Sequence, residues 1–416
     1  MSMRSFVLFP LLGLLGACAS TGGSRIMAPG SDQATSVDAV AAAIVDADLV
    51  ALGELHQTPG VHRTHHALLR AMHRRRPNMV IAMEMFERDV QTVLLQYLNG
   101  LIDEDEFRAK SRPWPNYARD YRPVIEFAKA NNLIVLAANA PRPLASKAAK
   151  EGIDAVRGDK HLARETSAPK DGYWDSFQEM MAGHGGMLGE DGMERFYAAQ
   201  CLKDDTMAES IADHLKEMAP ENRPLAVLIC GRAHSDYGWG TVQRVVERMP
   251  GIEVRVLSAG TVDDPVTEIA EASSEVADYV VFAEAPQREP MAMPVAAARK
   301  PKDDAASSGG AEEAGAEPTP TENPEGLRPA FGFMPEYSSE GDGVLVGQVF
   351  EGRPAFEAGI EQGDRIMAIG GKPTLDLEEY TEVLDTLIIG RTVTVRVRRE
   401  VAEVDLQVKV GSRAAR

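Results

Sequence analysis

Short apolar runs, each followed by an amphipathic helical pattern, recur through residues 37–285 and constrain the fold more than any other feature. Such runs form strands that are buried on both faces, and their alternation with helices is typical of a mostly parallel sheet flanked by helices. The sequence therefore predicts an α/β fold with strands at Leu49–Leu52, Met79–Met83, Leu133–Ala138, Leu225–Cys230 and Val254–Leu257, and a last edge strand at Tyr279–Phe282.

Side chains that can do chemistry follow four of these strands. Glu54 and His56 come after the first, Glu84 after the second, Asn139 after the third and His234 after the fourth. The carboxyl ends of parallel strands share one edge of the sheet, where ligands of open α/β sheets bind, so we expect these residues to meet. Imidazole and carboxylate suit Zn, Mn or Fe, and such a divalent transition metal can activate water for hydrolysis. Glu54, His56, Glu84 and His234 are therefore a candidate metal and catalytic set; a cleft that holds its ligand by hydrogen bonds without metal is the alternative.

Histidines are concentrated on the helix predicted for Pro59–Arg75, which Thr58 and a proline at its first position begin. At about 100° per residue, His65 falls on the apolar face, whereas His62, His66 and His73 form a neighbouring stripe. His62 and His65 lie in the opening turns, closest to the first strand end. They are the two helix histidines that we take as candidate ligands.

The N-terminus has the pattern of a lipoprotein signal peptide over residues 1–18. Arg4 precedes an apolar run, Phe6–Leu15, that is too short to span a bilayer as a mature helix, and Leu15-Gly16-Ala17-Cys18 has the form of a lipobox. This predicts acylation of Cys18 and, because Ala19 rather than Asp follows, an anchor on the periplasmic side of the outer membrane. A plain secretory signal is the alternative. Residues 19–36 are small and polar, which predicts a tether.

Composition excludes one class of partner and divides the chain. The net charge is −19, from 63 acidic against 44 basic residues, which argues against nucleic acid because phosphate binding needs basic patches. Residues 286–326 lose all periodicity and are rich in Ala, Glu, Pro, Gly and Ser, as expected for a disordered linker between domains at 37–285 and 327–416.

The sequence has three cysteines. If Cys18 is acylated, Cys201 and Cys230 either form a disulfide with each other or remain two buried free thiols.

Five motifs of the first domain resemble, in this order, those of the ChaN family, haem-binding lipoproteins of the Tiki/erythromycin-esterase-like superfamily. They are Gly53-Glu54-x-His56, Glu84-Met85-Phe86-Glu87, Asn139-Ala140-Pro141-Arg142, Ala199-Gln200 with Asp204-Asp205-Thr206-Met207-Ala208, and Gly231-Arg232-Ala233-His234. The resemblance covers about 37–285 and implies an α/β fold. It also implies haem binding connected with iron uptake, with haem shared between two protomers of a homodimer.

The resemblance implies a haem iron held by a tyrosine with a histidine nearby. The candidates for these two roles are Tyr117, Tyr121, Tyr173 and Tyr237, and His56, His62, His65 and His234. Other superfamily members resemble metal-dependent hydrolases with Glu and His at the positions of Glu54, His56, Glu84 and His234. A metal-dependent peptidase or esterase is therefore the alternative function, and a scaffold with an inactive site is a third.

The tail, residues 327–416, resembles a bacterial PDZ domain. Phe331-Gly332-Phe333-Met334 matches the carboxylate-binding loop, and Arg353–Ile360 and Gly363–Ile366 match the turn and strand that follow. Strands are predicted at Val344–Phe350, Arg365–Ile369, Val393–Arg398 and Val404–Val410, with one helix at Leu377–Leu387. The resemblance implies a small β-rich domain that binds the C-terminus of a peptide or protein partner. A PDZ fold used only for packing is the alternative.

Overall fold

The computed structural model describes residues 23–56, 58–114, 116–181, 185–265, 271–284, 323–324, 327–335, 343–374, 377–399 and 402–414. The predicted signal peptide with Cys18, and nearly all of the predicted linker, lie outside the described residues. No helix in the described part is both long and apolar enough to cross a bilayer.

The first domain alternates strands and helices along the chain. Its strands are β1 (Ser24–Met27), β2 (Ala34–Thr35), β3 (Leu49–Glu54), β4 (Met79–Glu87), β5 (Ile134–Asn139), β6 (Leu225–Gly231), β7 (Val254–Val262) and β8 (Tyr279–Glu284). Its helices are α1 (Val37–Ile44), α2 (Pro59–Arg75), α3 (Gln91–Leu98), α4 (Glu104–Ser111), α5 (Tyr117–Asp120), α6 (Arg122–Ala130), α7 (Arg142–Glu151), α8 (Gly172–Met180), α9 (Gly185–Lys216) and α10 (Gly240–Arg248).

These strands form one eight-stranded sheet in the order β2-β1-β8-β7-β3-β6-β4-β5. The pairs from β8 to β5 are parallel, and β1 and β2 add antiparallel strands at one edge. Strand β6 lies between β3 and β4, with Gly231 opposite Glu54 and Ile229 opposite Met83. The ends of β3, β6 and β4, which carry the candidate residues, are therefore neighbours.

Side-chain alternation along the central strands divides the core into two layers. Val50 and Leu52 of β3 pack into the core on the side of α1 and α2, and Leu49 and Ala51 pack into the core on the side of α9 and α10. All of these side chains are buried, which is why the stretch Leu49–Leu52 of β3 is continuously apolar. Each buried Val or Leu side chain among them contributes on the order of 1.5–3 kcal/mol by leaving water.

The predicted tether is wrong from residue 24 onward. Ser24–Met27 forms β1, which pairs with β8, and Ile26 and Met27 are buried against the sheet. Because β1 covers one side of β8 and β7 covers the other, the predicted edge strand at Tyr279–Phe282 lies inside the sheet. Four residues cannot reveal such pairing by periodicity alone, since their partner lies at the far end of the domain.

The described part of the region 152–192 contains packed structure. Helix α8 buries Tyr173 and Phe177, and these rings meet Tyr197 of α9 in a separate apolar core. His184 lies outside the described residues. The described part of this region therefore forms a packed subdomain.

The tail forms a small antiparallel domain. Its strands are β9 (Leu327–Ala330), β10 (Phe333–Pro335), β11 (Val344–Val349), β12 (Arg365–Ile369), β13 (Lys372–Pro373), β14 (Thr392–Arg399), β15 (Ala402–Lys409) and β16 (Gly411–Ala414), and its helices are α11 (Pro354–Glu357) and α12 (Leu377–Asp385). The main sheet has the order β10-β11-β12-β14-β15, with β13 on β12, and β9 pairs with β16. The predicted fold class, a mostly parallel α/β domain followed by a small β-rich domain, is confirmed.

Candidate functional site

Glu54, the last residue of β3, is buried and lies at the centre of the first cluster. The Tyr121 hydroxyl donates to its Oε1 at 2.6 Å, and His56 Nδ1 lies 3.0 Å from the same oxygen. His62 Nδ1 lies 3.2 Å from Oε2. The expected proximity of Glu54 and His56 is thus realised, and the first turns of α2 bring His62 to the carboxylate.

A second carboxylate extends this cluster to the surface. His62 Nε2 lies 3.7 Å from Asp120 Oδ2 and 3.0 Å from the carbonyl oxygen of His56. Arg119 donates to both oxygens of Asp120 at 2.7 Å, and its side chain is 52% exposed. Acidic and basic groups therefore alternate from solvent to Glu54.

The second cluster surrounds His234, which follows β6 in a short 3-10 turn. Its Nε2 lies 3.2 Å from Glu84 Oε1, and its Nδ1 lies 2.7 Å from Asp204 Oδ1. Asp204 also accepts hydrogen bonds from Thr241 and Tyr173, each at 2.8 Å. A buried imidazole is thus held between two buried carboxylates.

The two clusters meet at Gly231. Glu84 Oε2 accepts a hydrogen bond from the Gly231 backbone N–H at 2.7 Å. A Cβ atom on Gly231 would lie 2.9 Å from the His56 ring and 3.7 Å from the Glu84 carboxylate. Both side chains therefore occupy the space that a larger residue would need. We call the joined set the acid–histidine network; its members are Glu54, His56, His62, Glu84, Asp120, Asp204 and His234.

Opposite charges stabilise each other inside this network. Burial alone would raise the pKa of Glu54, but His62 and His56 outweigh it and hold that pKa well below its usual range. Burial likewise opposes ionisation of His234, but Glu84 and Asp204 raise its pKa to about 9. The network thus holds ionised carboxylates and a protonated His234 at neutral pH, an arrangement concentrated at functional sites.

His65, a predicted ligand, has a different environment. It is 2% exposed, and neither ring nitrogen has a hydrogen-bond partner among the residues that the structure describes. Burial lowers its pKa to about 4, so the ring is neutral at physiological pH. It lies on the buried face of α2, as its position in the helical pattern predicted.

The four candidate tyrosines occupy different surroundings. Tyr121 and Tyr173 are buried with their hydroxyls bound to Glu54 and Asp204. Tyr117 is buried against Phe86 and Phe107, and in the described part of the chain its hydroxyl has no hydrogen-bond partner. Tyr237 is 44% exposed. Its backbone has a φ of +60°, and its ring stacks on that of Trp239 at 4.5 Å. A bulky ligand can reach Tyr237 without rearranging the core.

Tyr237 opens onto a cleft of about 480 Å³, within the range of about 300–1,000 Å³ typical of small-molecule sites. Trp239, Met180, Phe282 and Arg232 are among the residues that line it. Tyr173 lines it too, and its hydroxyl donates to Asp204. The cleft is therefore joined to the acid–histidine network by one hydrogen bond.

The predicted metal and catalytic set converges, since Glu54, His56, Glu84 and His234 all belong to the network. Each of these side chains is nevertheless bound to another protein group. Among the described residues, no three His, Cys, Asp or Glu side chains are arranged to hold a metal ion. Asn139, the remaining strand-end residue, is buried at the end of β5, where its side-chain oxygen accepts from the Ala140 N–H.

Sequence reasoning did not select Asp120 or Asp204 as site residues. A signal for Asp204 was present, because Cys201, Asp204, Ala208 and Ile211 follow helical spacing and are all fully buried on one face of α9. A carboxylate on an apolar stripe requires a buried partner, which here is His234. Asp120 ends a four-residue helix and gave no comparable signal.

The two remaining cysteines do not pair. Cys201 and Cys230 are both buried and free. Cys201 lies on α9 within the core of the α8–α9 subdomain, and Cys230 lies on β6 in the core beneath α9 and α10. Of the two alternatives given by the sequence, the free thiols are the correct one.

The candidate peptide-binding loop Phe331–Met334 leads into β10, an edge strand of its sheet in the described part of the chain. Gly332 has a φ of +82°, and a Cβ there would lie 2.3 Å from Cβ of Arg353. The Phe331 carbonyl accepts from the Ala355 N–H at 2.7 Å, which fixes the loop to α11. An edge strand beside a glycine loop can accept an added strand.

These features define a two-domain ligand-binding protein, with a buried acid–histidine edge in the first domain and a peptide-accepting edge in the second. Residues 40–245 match the family model described as haem-binding uptake, Tiki superfamily, ChaN, and residues 321–410 match the PDZ domain model. The chain therefore contains a ChaN-like haem-binding domain of the Tiki superfamily, followed by a PDZ domain.

Solved structures resemble each domain at low identity. "Cofacial heme binding to ChaN of Campylobacter jejuni" has 15% identity and a TM-score of 0.48, covering 63% of this chain and 98% of that one. "HtrA-type protease AlgW with decapeptide" has 23% identity and a TM-score of 0.20, covering 21% of this chain and 30% of that one. The HtrA3 PDZ domain bound to a phage-derived ligand has 22% identity and a TM-score of 0.18, covering 21% and 88%. No curated protein sequence matches the chain.

Proposed function

We propose that this protein binds haem in the cleft beside Tyr237, with Tyr237 as the iron ligand, and that its PDZ domain binds the C-terminus of a partner. The observation that carries the proposal is the exposure of Tyr237, because the other three candidate tyrosines are buried. The match of residues 40–245 to a haem-binding family supports it.

The residues of the cleft suit haem. A tyrosine oxygen is an established ligand of haem iron, and Trp239, Met180 and Phe282 offer apolar and aromatic surface to the flat macrocycle. The Arg232 guanidinium at the same cleft suits the propionate carboxylates. Bound haem would supply an iron centre. The buried histidines of the network serve in this proposal to hold the strand ends in place rather than to ligate iron.

A haem titration of the mature, lipid-free protein tests this proposal. We expect a saturable Soret band with a tyrosine-type iron spectrum, and Tyr237→Phe should lose that spectrum and weaken binding about tenfold or more, which corresponds to about 1.4 kcal/mol. Tyr279→Phe, a partly buried tyrosine of β8, is the matched control and should bind as the wild type does. If the spectrum and the haem affinity of Tyr237→Phe were unchanged, Tyr237 would be excluded as the iron ligand.

The cellular role that we propose is haem handling for iron uptake on the periplasmic side of the outer membrane. The lipobox Leu15-Gly16-Ala17-Cys18 and the following Ala19 support this location. Labelling with a radioactive fatty acid, followed by membrane fractionation, tests this location, and Cys18→Ser should lose both the label and the membrane association.

A homodimer that shares haem is part of the same proposal, and sedimentation with and without haem would detect the dimer.

A metal-dependent hydrolase is the second candidate function. The convergence of Glu54, His56, Glu84 and His234 at one sheet edge favours it, because buried ionisable groups of both signs are costly unless paired or used. Metal analysis with a panel of ester and peptide substrates tests this function, and Glu54→Ala should abolish any hydrolysis. Activity that survives in Glu54→Ala would remove Glu54 from the mechanism.

A further inference from the structure

Helix α12 of the PDZ domain lies against the first domain. Leu377, its first residue, packs on the apolar core that contains Tyr173 and Phe177, and Trp239 packs on the same core. Thr381 and Asp385, further along the helix, line the same cleft as Tyr237. One side of α12 thus contributes a wall to the proposed haem cleft.

An electrostatic attraction between the domains lies next to the surface end of the acid–histidine network. Arg119 is held chiefly by its hydrogen bonds to Asp120, and Glu379 of α12 adds a further attraction to its guanidinium. Apolar and cleft-lining residues of α12 therefore contact the first domain, and a charged residue of the same helix attracts Arg119.

The elements that make this contact are also those that a PDZ domain uses to bind peptides. A peptide adds as a strand to the edge strand, here β10, and lies between that strand and the neighbouring helix, here α12. Strand β10 lies against α9 of the first domain. Both walls of the peptide groove are therefore involved in the contact between the domains.

We propose that the PDZ domain is a movable wall of the haem cleft and that capture of a peptide C-terminus draws it away. In the docked state α12 completes the cleft beside Tyr237, and the first domain shields the peptide groove. In the undocked state the groove is open and the cleft has lost one wall. Peptide binding and haem binding consequently oppose each other, so that the partner protein triggers haem release. The release of haem on peptide binding rests on the proposed haem function, whereas the docking of the PDZ domain and its displacement by peptide do not.

The energetics favour such a reversible contact. The two domains belong to one chain, and joining two binding elements in one chain gives an effective concentration on the order of millimolar, so a weak contact between them is populated. A ligand that binds only one of two states shifts the equilibrium by its differential affinity, and the coupling between two such ligands is reciprocal. Peptide should therefore weaken haem binding by the same factor as haem weakens peptide binding.

The experiment uses the full mature chain and a fluorescent pentapeptide with a free C-terminal valine as the probe. In the wild type, saturating peptide should increase the radius of gyration measured by small-angle scattering and should weaken haem binding about threefold or more. Thr381→Arg places a long cation in the contact, and Asp385→Arg does so at a more exposed position of the same helix. Both variants should have the larger radius without peptide, and peptide should then change neither their radius nor their haem affinity.

Thr392→Arg is the matched control, because Thr392 is an exposed threonine of the same domain at the start of β14. It should behave as the wild type does. Peptide that binds the wild type without changing the radius or the haem affinity overturns the inference. If no form of the protein binds haem, the haem proposal fails, whereas the radius in the presence and absence of peptide still decides whether the PDZ domain docks and is displaced.

Discussion

Gly231 lets the acid–histidine network exist as one unit. Its missing side chain leaves room for the ring of His56 on one side and the carboxylate of Glu84 on the other. With these groups in contact, the charge state of His234 is set by its neighbours rather than by solvent, because burial opposes its protonation and Glu84 and Asp204 outweigh that effect. Stability should therefore depend on pH in a defined direction.

We expect the free energy of unfolding of the first domain to fall as pH rises from about 6.5 to about 9. The pKa of His234 is about 9 in the folded state and about 6.5 in an unfolded chain, so over this interval the folded state binds more protons. The stabilisation by protonated His234 is fully present below pH of about 6.5 and is lost as the pH rises through the folded-state pKa of about 9. Urea denaturation at a series of pH values measures it.

Asp204→Asn is the comparison for this measurement. It keeps the shape of the side chain and removes one of the two carboxylates that raise the pKa of His234, so the decline with pH should become shallower. His62, whose pKa is also raised, acts in the same direction and leaves part of the slope in the variant. A wild-type stability that is flat or rising between pH of about 6.5 and 9 would contradict the assigned charge of His234.

At the scale of elements, the sequence predicted those helices and strands whose formation depends on neighbouring residues. Helix α2 begins and ends at the predicted residues, since apolar spacing and a first-turn proline act within a few residues. Strand β1 escaped prediction because its structure depends on pairing with β8, more than two hundred residues away. The same reasoning explains why the strand-end residues of the site could be predicted, whereas the contacts of Asp120 and the exposure of Tyr237 could not.

Strand β1 should contribute strongly to the stability of the first domain. Ile26→Ala removes a side chain that is 3% exposed and leaves a cavity between β1 and the core, so we expect a loss of about 2–4 kcal/mol in the free energy of unfolding. Chemical denaturation measures this loss. Asp32→Ala, an exposed change in the turn between β1 and β2, should have an effect within about 0.5 kcal/mol. Equal stability of both variants would mean that β1 is not held to β8 in solution.

The whole molecule contains separate apolar cores for its two domains. The α/β domain has one core on each face of its sheet, and the PDZ domain encloses its own between the sheet and α12. The way α12 meets the first domain could not be predicted from the sequence, because the contact has no local pattern.

Separate cores predict separable unfolding transitions. Ile81→Ala and Ile366→Ala make the same change at fully buried positions of the first and the second domain. Each should lower the stability of its own domain by about 2–4 kcal/mol and shift only that transition in differential scanning calorimetry. A single transition that moves equally in both variants would show that the domains unfold as one cooperative unit.

The position of β1 also limits how the protein can stand on a membrane. Six Cα–Cα steps separate Cys18 from Ser24, the first residue of the sheet, and a fully extended chain of that length reaches about 20 Å. A protein acylated at Cys18 would therefore keep the β1 side of its sheet within about 20 Å of the lipid headgroups, far closer than a tether reaching residue 36 would allow. The α/β domain would then be confined near the bilayer surface.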